Sequence, residues 1–289
     1  MSLSILVTGS RGVIGTQLCK ILMKHGHNVI GTCRPSQTRL IESEIVIEPW
    51  KPLSLGEFDI DLVVHLAGIY VTKYEIAAIE RCFNTNVGLA ATIANFQKAT
   101  KTPVIAIGSF FEKAPTNLQP WTYYASSKIA SFNVLKEAAD FSKSKLIYLY
   151  LYDTYGNDTS RGKFIDLIVE AVCNAANLDA SGGKQVQDLT HIDDVSNAIM
   201  QVISDINTFD EKLHEFQIRS KEVVSLQDLA KLANSSTRSP IEVNWGKFPY
   251  REREVFELWE SALDLPNWKP RHNLTDYFRD RFQAVTKGN

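Results

Sequence analysis

Tyr124 and Lys128 stand four residues apart in the run Tyr124-Ala125-Ser126-Ser127-Lys128. If the run is helical, both side chains project from one face. An ammonium beside a phenol lowers the phenol pKa through charge proximity. A tyrosine poised in this way can give or take the proton of an alcohol/ketone couple. Ordinary surface pairs share the spacing, so the pair alone decides nothing. Tyr123 competes for the role, but four residues beyond it stands Ser127, which supplies no charge. Upstream, Val104-Ile105-Ala106-Ile107-Gly108-Ser109 reads as a strand that presents Ser109 at its carboxyl end. That hydroxyl can hydrogen-bond a reacting oxygen, or it is a loop serine. Near the N-terminus, Thr8-Gly9-Ser10-Arg11-Gly12-Val13-Ile14-Gly15 spaces three glycines three apart. One glycine permits a tight turn, one lets backbone amides approach a diphosphate, and one lets a helix pack close to a sheet. A helix that starts there turns its positive end towards the diphosphate. The alternative is a tight packing turn without a ligand.

The elements around these residues must position them. Residues 3–8 are a short apolar run ended by Gly9, as in a buried strand. Residues 13–25 carry apolar side chains at helical spacing, Gly26 ends them, and 29–32 restart a strand. Strand, helix, strand over about thirty residues is a parallel, right-handed unit. The alternation continues with strands at 45–47 and 62–66, a helix at 75–99 broken near 84–86, a strand at 103–107, a helix at 122–141 and a strand at 146–151. This is the rhythm of a doubly wound parallel sheet of the Rossmann type, an α/β fold with a dinucleotide-binding domain over 1–155. From 156 to 289 the texture changes. A turn-rich stretch at 156–162 precedes helices at 164–176, 195–204 and 226–233 among weak strands. This part reads as a smaller, mixed substrate-binding subdomain, with some segments returning to the first domain.

Composition excludes several classes. The 289 residues are 44% apolar with a formal charge of −2, and the basic residues are scattered, so no nucleic-acid stripe or membrane-surface patch is expected. No apolar run reaches the roughly 18 residues that span a bilayer. The chain opens directly into a strand pattern rather than a signal peptide. Cys19, Cys33, Cys82 and Cys173 lack CxxC spacing and read as reduced thiols in a cytoplasmic protein without a metal site.

The second strand ends Gly31-Thr32-Cys33-Arg34-Pro35-Ser36. An acid usually ends this strand when the ligand is NAD, where it accepts from the ribose 2′-hydroxyl. None stands here. Arg34 and Ser36 occupy the region, Arg11 lies nearby in the glycine turn, and a guanidinium suits a 2′-phosphate. The expectation is NADP(H), with NAD(H) as the alternative and a merely solvated Arg34 as the bland reading.

Taken together, the motifs resemble the extended short-chain dehydrogenase/reductase family, the NAD-dependent epimerase/dehydratase group, over nearly the whole chain. The glycine turn fits the family's TGxxGxxG. Leu66, Ala67 and Gly68 in His65-Leu66-Ala67-Gly68 fit the segment whose backbone lines the cofactor, and Asn86 fits the asparagine that props the active-site backbone. Thr190-His191-Ile192-Asp193-Asp194-Val195 is similar to the family's HVDD segment, with His191 read as scaffold. The resemblance implies that Tyr124 is the acid/base, that Lys128 also binds the nicotinamide ribose, and that Ser109 polarises the carbonyl. Departures from the pattern narrow the chemistry. Dehydratases of the family carry Asp-Glu directly after the serine or threonine, and this chain has Phe110-Phe111. The GDP-fucose epimerase-reductase needs a cysteine where Phe111 stands. Simple hydride transfer remains: reduction of a 4-keto nucleoside-diphosphate sugar, or a 4-epimerisation that oxidises and re-reduces one carbon. Epimerases regenerate their cofactor and usually hold NAD, so the Arg34 reading tilts towards a reductase.

Residues 152–158 and 245–251 resemble reductases that finish dideoxyhexoses, the CDP-abequose and CDP-paratose synthases. Residue matching offers Arg251, Asn174 and Lys163 as substrate contacts. Arg251 is otherwise a partner of Glu252 or Glu254, and Gln187 replaces an arginine common in relatives. A sensor or scaffold that binds NADP without catalysis is a rival, which the complete Ser/Tyr/Lys set opposes. A homodimer paired through the tyrosine helix is expected, although core packing explains Ile129, Phe132, Val134 and Leu135 equally well.

Overall fold

The computed structural model describes residues 2–38, 43–54, 58–115, 122–156 and 161–286. Asn157 and Asp158, and with them most of the turn-rich stretch expected at 156–162, lie outside the described residues.

The chain begins β1 (Ser4–Thr8), α1 (Val13–Lys24), β2 (Asn28–Cys33), β3 (Glu44–Val46), β4 (Leu62–His65), α2 (Ile76–Thr100), β5 (Val104–Ser109), α3 (Tyr123–Ser142), β6 (Leu146–Leu151). It continues β7 (Asp153–Tyr155), α4 (Phe164–Asn174), β8 (Leu178–Asp179), β9 (Val186–His191), α5 (Ile192–Asp205), β10 (Leu213–Ile218), β11 (Val223–Ser225), α6 (Leu226–Ser235), β12 (Val243–Asn244), β13 (Leu263–Asp264) and α7 (Leu274–Thr286). Eight strands form one sheet in the order β13-β10-β6-β5-β4-β1-β2-β3, with every pairing parallel. The doubly wound expectation holds. The order reverses between β1 and β4, which is where ligands bind in such sheets, beyond the carboxyl ends of the strands.

Period-2 alternation explains why the sheet is covered on both faces. Ile5, Val7, Leu62, Val64, Ile105, Ile147 and Leu149 point to one side, where Leu18, Leu22, Ala198, Ile199 and Val202 cover them. Leu6, Val63, Val104, Ala106, Leu146 and Tyr148 point to the other, under Leu89, Ile93, Leu135 and Ala139. Phe132, Val134 and Leu135 of α3 belong to this second core, which accounts for three of the four apolar residues considered above for a dimer.

The expected break at 84–86 is absent, because α2 runs unbroken for 25 residues. Asparagine interrupts helices by bonding its own backbone. The Asn86 amide is instead engaged by Ile69 and Ser127, so it does not compete with the helix.

The chain divides into two compact units. The first comprises Met1–Leu151, Val195–Ile218 and Trp259–Trp268. The second comprises Tyr152–Asp194, Arg219–Leu258 and Lys269–Asn289. The second has its own core, in which Ile165, Ile168, Leu189, Leu229 and Phe278 meet. Its strands form a mixed sheet, β11-β9-β7, and a parallel pair, β12-β8. Among the described residues no helix is long and apolar enough to cross a membrane.

Candidate active site

The glycine turn is shaped by contacts that exclude side chains. Gly9 has φ of +70°, and a Cβ there would lie 2.9 Å from the Ala67 nitrogen. A Cβ on Gly15 would lie 2.1 Å from the Gly9 carbonyl oxygen, so α1 begins directly against the turn. The Gly12 amide closes the turn on that carbonyl at 2.9 Å. Gly12 is the N-cap of α1, no side chain caps the helix, and no acid lies in its first turn. Amides that begin a helix without a capping side chain, beside glycines that leave room, are what a diphosphate requires. These residues therefore fit a dinucleotide. The surrounding bonds hold the turn to the sheet: Ser10 Oγ accepts from the Thr32 amide at 3.0 Å, and Thr8 Oγ1 accepts from the Ala67 amide at 3.1 Å. Thr8 also bonds the buried His65 at 2.8 Å, and burial lowers the His65 pKa to about 3, so its ring is neutral. Asn86 accepts from the Ile69 amide at 2.7 Å and donates to the Ile69 carbonyl and to Ser127 Oγ, which pins the chain after β4 to α3.

Ser109 ends β5, and its hydroxyl is hydrogen-bonded to that of Tyr124, an arrangement that favours the phenolate. Lys128, one turn along α3, donates to the Ile107 carbonyl of β5 at 2.5 Å. The structure thus brings the three sequence candidates together. It also separates Tyr124 from its competitor: Tyr123 is exposed and packs on Tyr74, while Tyr124 packs edge-on against Tyr70 with ring centroids 4.9 Å apart.

The electrostatics differ from the sequence expectation. Burial pushes the Tyr124 pKa well above that of a free phenol, the Glu112 carboxylate adds to the shift, and the Ser109 hydrogen bond opposes it. The Lys128 ammonium is turned to a carbonyl rather than to the phenol, and burial lowers its pKa while Glu112 supports its charge. Tyr124 therefore rests as a neutral phenol, not as a pre-ionised base.

A family model described as the NAD dependent epimerase/dehydratase family matches residues 5–216. The chain belongs to this family. It is thereby an NAD(P)-dependent enzyme of the extended short-chain dehydrogenase/reductase type. It is similar to a CDP-abequose synthase of Salmonella muenchen, 24% identical over 88% of this chain and 87% of the other. A CDP-abequose synthase of Yersinia pseudotuberculosis is 30% identical over 70% of this chain and 74% of the other. Among solved structures, MoeE5 in complex with UDP-glucuronic acid and NAD superposes with a TM-score of 0.80 at 19% identity, covering 99% of this chain and 100% of the other. The UDP-glucuronic acid 4-epimerase from Bacillus cereus, in complex with UDP-glucuronic acid and NAD, gives 0.79 at 18%, over 99% and 100%.

Within the family's cofactor turn, the structure shows an acid that sequence reading missed. Arg11 is clamped by Glu44, Nε to Oε1 at 2.8 Å and Nη2 to Oε2 at 2.6 Å, and Nη2 also donates to the Thr38 carbonyl at 2.7 Å. Glu44 heads β3, pairs with Gly31 and is 4% exposed. A carboxylate therefore does stand beside the end of β2, supplied by the neighbouring strand. Arg11 already has a carboxylate partner, which leaves Arg34 and Ser36, both exposed, as the candidates for a 2′-phosphate. The only sequence signal for Glu44 was a charge at the head of the apolar run Ile45-Val46-Ile47.

Glu112 is the second acid missed. It follows the two phenylalanines in a short 3-10 turn, Phe110–Lys113. Its carboxylate accepts from the Ser109 amide at 2.6 Å and from the Tyr148 hydroxyl at 3.1 Å, so it lies beneath the serine, engaged by the protein. Phe110 is buried, stacks on Phe111 at 4.2 Å between ring centroids, and takes the Trp259 indole N–H on its carbonyl at 2.8 Å. Phe110 and Phe111 have no proton to exchange.

Burial pushes the Glu112 pKa up to about 7 from an ordinary 4.5, against the opposing pull of Lys128. Between these values the folded chain binds more protons than the unfolded one, so this group makes stability fall as pH rises from about 4.5 to about 7. Glu112→Gln abolishes that loss. Relative to wild type the variant is expected to gain on the order of 3 kcal/mol across the window. Urea denaturation at the two ends measures it, and parallel pH dependence in the two proteins would contradict the assignment.

Of the substrate candidates in the second unit, Lys163 Nζ donates to the Thr154 carbonyl at 3.1 Å and pairs with Asp153 at 3.5 Å. Arg251 is largely exposed and pairs loosely with Glu254 at 3.8 Å. Asn174 ends α4 at the surface. No hydrogen bond or ion pair joins these three among the described residues. His191 is buried and stacks on His272 at 4.2 Å, with its Nδ1 accepting from the Asp193 amide at 3.2 Å. The His272 ring is held by the buried Asp194 at 2.9 Å, and both histidines are thereby engaged in scaffold hydrogen bonds.

Proposed function

We propose that the protein reduces the 4-keto group of a nucleoside-diphosphate sugar with NADPH. The observation that carries this reading is the assembly at the carboxyl end of β5: Tyr124 hydrogen-bonded to Ser109, Lys128 one helical turn along, and phenylalanines rather than acids directly after the serine, which leaves a single hydride step with one proton donor. The likeness to CDP-abequose synthases supports the same class of substrate.

Bound NADPH supplies the hydride. Ser109 hydrogen-bonds the carbonyl oxygen, and Tyr124 gives it a proton as negative charge develops. One hydride at carbon 4 and one proton on oxygen complete the alcohol. The Lys128 ammonium is a fixed positive charge one helical turn from the phenol, and pre-placed charge of this kind lowers the barrier without reorganisation. We assign the grip on the diphosphate to Arg251, with Asn174 and Lys163 as further contacts.

The second reading is a 4-epimerase holding NAD, favoured by the UDP-sugar epimerases among the structural neighbours and by the Glu44 carboxylate at the cofactor turn. Mixing the protein with NADPH and CDP- and UDP-linked 4-keto-6-deoxyhexoses separates the two. Stoichiometric loss of NADPH absorbance is expected. No loss with any of them, together with interconversion of UDP-glucuronic acid or UDP-glucose without added cofactor, would establish the epimerase. Cofactor choice is read from Arg34→Ala. Losing a charge-assisted bond to a 2′-phosphate, about 1.5–3 kcal/mol, should weaken NADPH binding about 10- to 100-fold and leave NADH nearly unchanged. Equal effects on both cofactors would remove Arg34 from the role.

A further inference from the structure

The corner where β9 runs into α5 gathers two histidines and two aspartates, all of them in the second compact unit: His191, Asp193, Asp194 and His272. A carboxylate only accepts hydrogen bonds. The 2.9 Å contact between His272 Nδ1 and Asp194 Oδ1 therefore puts the ring hydrogen on Nδ1 and, in the neutral ring, leaves a lone pair on Nε2. Asp194 is 1% exposed, and its other oxygen accepts from the Arg271 and His272 amides at 3.1 and 3.0 Å. This one carboxylate fixes both the ring and the backbone that carries it. His191 Nδ1 accepts from the Asp193 amide, so it too holds a lone pair. Both nitrogens approach the same atom. Asp193 Oδ2 lies 3.8 Å from His191 Nδ1 and 4.0 Å from His272 Nε2, too far for a hydrogen bond to either. The two rings stack with centroids 4.2 Å apart, and one ligand atom from each of the three residues lies within 4.8 Å of the other two. Three acceptors thus crowd together with no hydrogen to share among them. Like partial charges at this range repel unless a cation joins them.

We propose that His191, Asp193 and His272 form a zinc site, with Nδ1, Oδ2 and Nε2 as the ligands and Asp194 as the carboxylate that orients His272. Imidazole and carboxylate are ordinary zinc ligands, held at about 2.0–2.2 Å, and the side chains reach that distance by closing about half an ångström each. A carboxylate behind a ligating histidine fixes its tautomer and raises its basicity, and Asp194 already stands in that place. The Asp193 amide gives up its hold on His191 without cost to α5, because amides in the first turn of a helix have no intrahelical acceptor. His191 is buried, Asp193 half-buried and His272 exposed, so the ion enters from the His272 side and water takes the fourth position. No cysteine takes part. His191 ends β9, and His272 stands two residues before α7. The ion is therefore a structural clamp that ties the entry to α7 to the β9–α5 corner, and it has no part in the hydride or proton step.

The test uses full-length, untagged protein stripped with a chelator and titrated calorimetrically with zinc chloride, at slightly alkaline pH because protons compete for the same atoms. One zinc per chain is expected. The melting temperature should rise by about 4–8 °C at a hundredfold excess of zinc over its dissociation constant. His272→Asn keeps a side-chain N–H for Asp194 and removes the ligand nitrogen. Its zinc affinity should fall at least about tenfold, while the metal-free protein melts close to wild type. Asp193→Asn should weaken zinc in the same way. Cobalt in place of zinc reports the donors: visible d–d bands without a thiolate charge-transfer band are expected, and they should disappear in His272→Asn. Cys173 is an exposed free thiol, and Cys173→Ser should bind zinc as wild type does. Three results would each overturn the proposal. One is no binding at millimolar zinc, which would leave a proton on His272 Nε2 as the group that joins the three acceptors. Another is unchanged binding in folded His272→Asn. The third is loss of binding in Cys173→Ser, which would place the metal on the thiol.

Discussion

Replacing Tyr124 with phenylalanine is expected to lower turnover by about 10²- to 10⁴-fold, the contribution of a positioned acid/base group. That is about 3–5 kcal/mol of transition-state stabilisation. The substitution removes one oxygen and leaves the ring, so the edge-on packing against Tyr70 survives, as does α3, whose N-terminus is capped by Thr122. Dinucleotide affinity should therefore change little, and the loss should appear in kcat. Steady-state kinetics beside a fluorescence titration with NADPH separates the two. Normal turnover in the variant would remove Tyr124 from the chemistry.

Gly15→Ala should act on the other half of the site. The added Cβ would lie 2.1 Å from the Gly9 carbonyl oxygen and 2.9 Å from both the Gly9 carbonyl carbon and Ser10 Cα. These are backbone atoms, so no side chain can swing away. Either α1 retreats or the turn opens, and both move the amides that would meet a diphosphate. Overpacking of this kind costs about 1–3 kcal/mol, or about 10- to 100-fold in affinity when it falls on binding. A calorimetric titration with NADPH and a melting curve measure how the strain divides between binding and stability. Wild-type values for both would show that the turn is looser than its contacts indicate.

The sheet was legible because its signals are local. Buried parallel strands of branched and apolar residues alternate with helical periodicity, and glycines punctuate them, so β1, α1 and β2 could be drawn almost residue by residue. Ser109, Tyr124 and Lys128 were legible because a strand end and one helical turn fix their spacing. Glu44 and Glu112 were not. Glu44 reaches Arg11 only because β3 pairs with β2 in a register that sets Glu44 beside Gly31, a long-range choice that no local pattern shows. Glu112 looks like a loop residue until the 3-10 turn folds its carboxylate back to the Ser109 amide. The direction of the Tyr124 shift was misread for a related reason. Helical spacing puts Lys128 on the right face, but the carbonyl that takes its ammonium comes from another element.

The eight-stranded sheet draws β10 and β13 from residues 213–218 and 263–264, far downstream of β6, which both precede in spatial order. During synthesis the sheet therefore waits. While the ribosome is still making the middle of the chain, β6 stands complete but unpaired on one side, and its six residues, Leu146-Ile147-Tyr148-Leu149-Tyr150-Leu151, are all destined for burial. An apolar strand edge of that kind invites pairing with another nascent chain. A polypeptide ended after residue 155 would keep the glycine turn, Ser109, Tyr124 and Lys128 and yet carry that open edge permanently. Its expected fate is aggregation rather than a working half-enzyme.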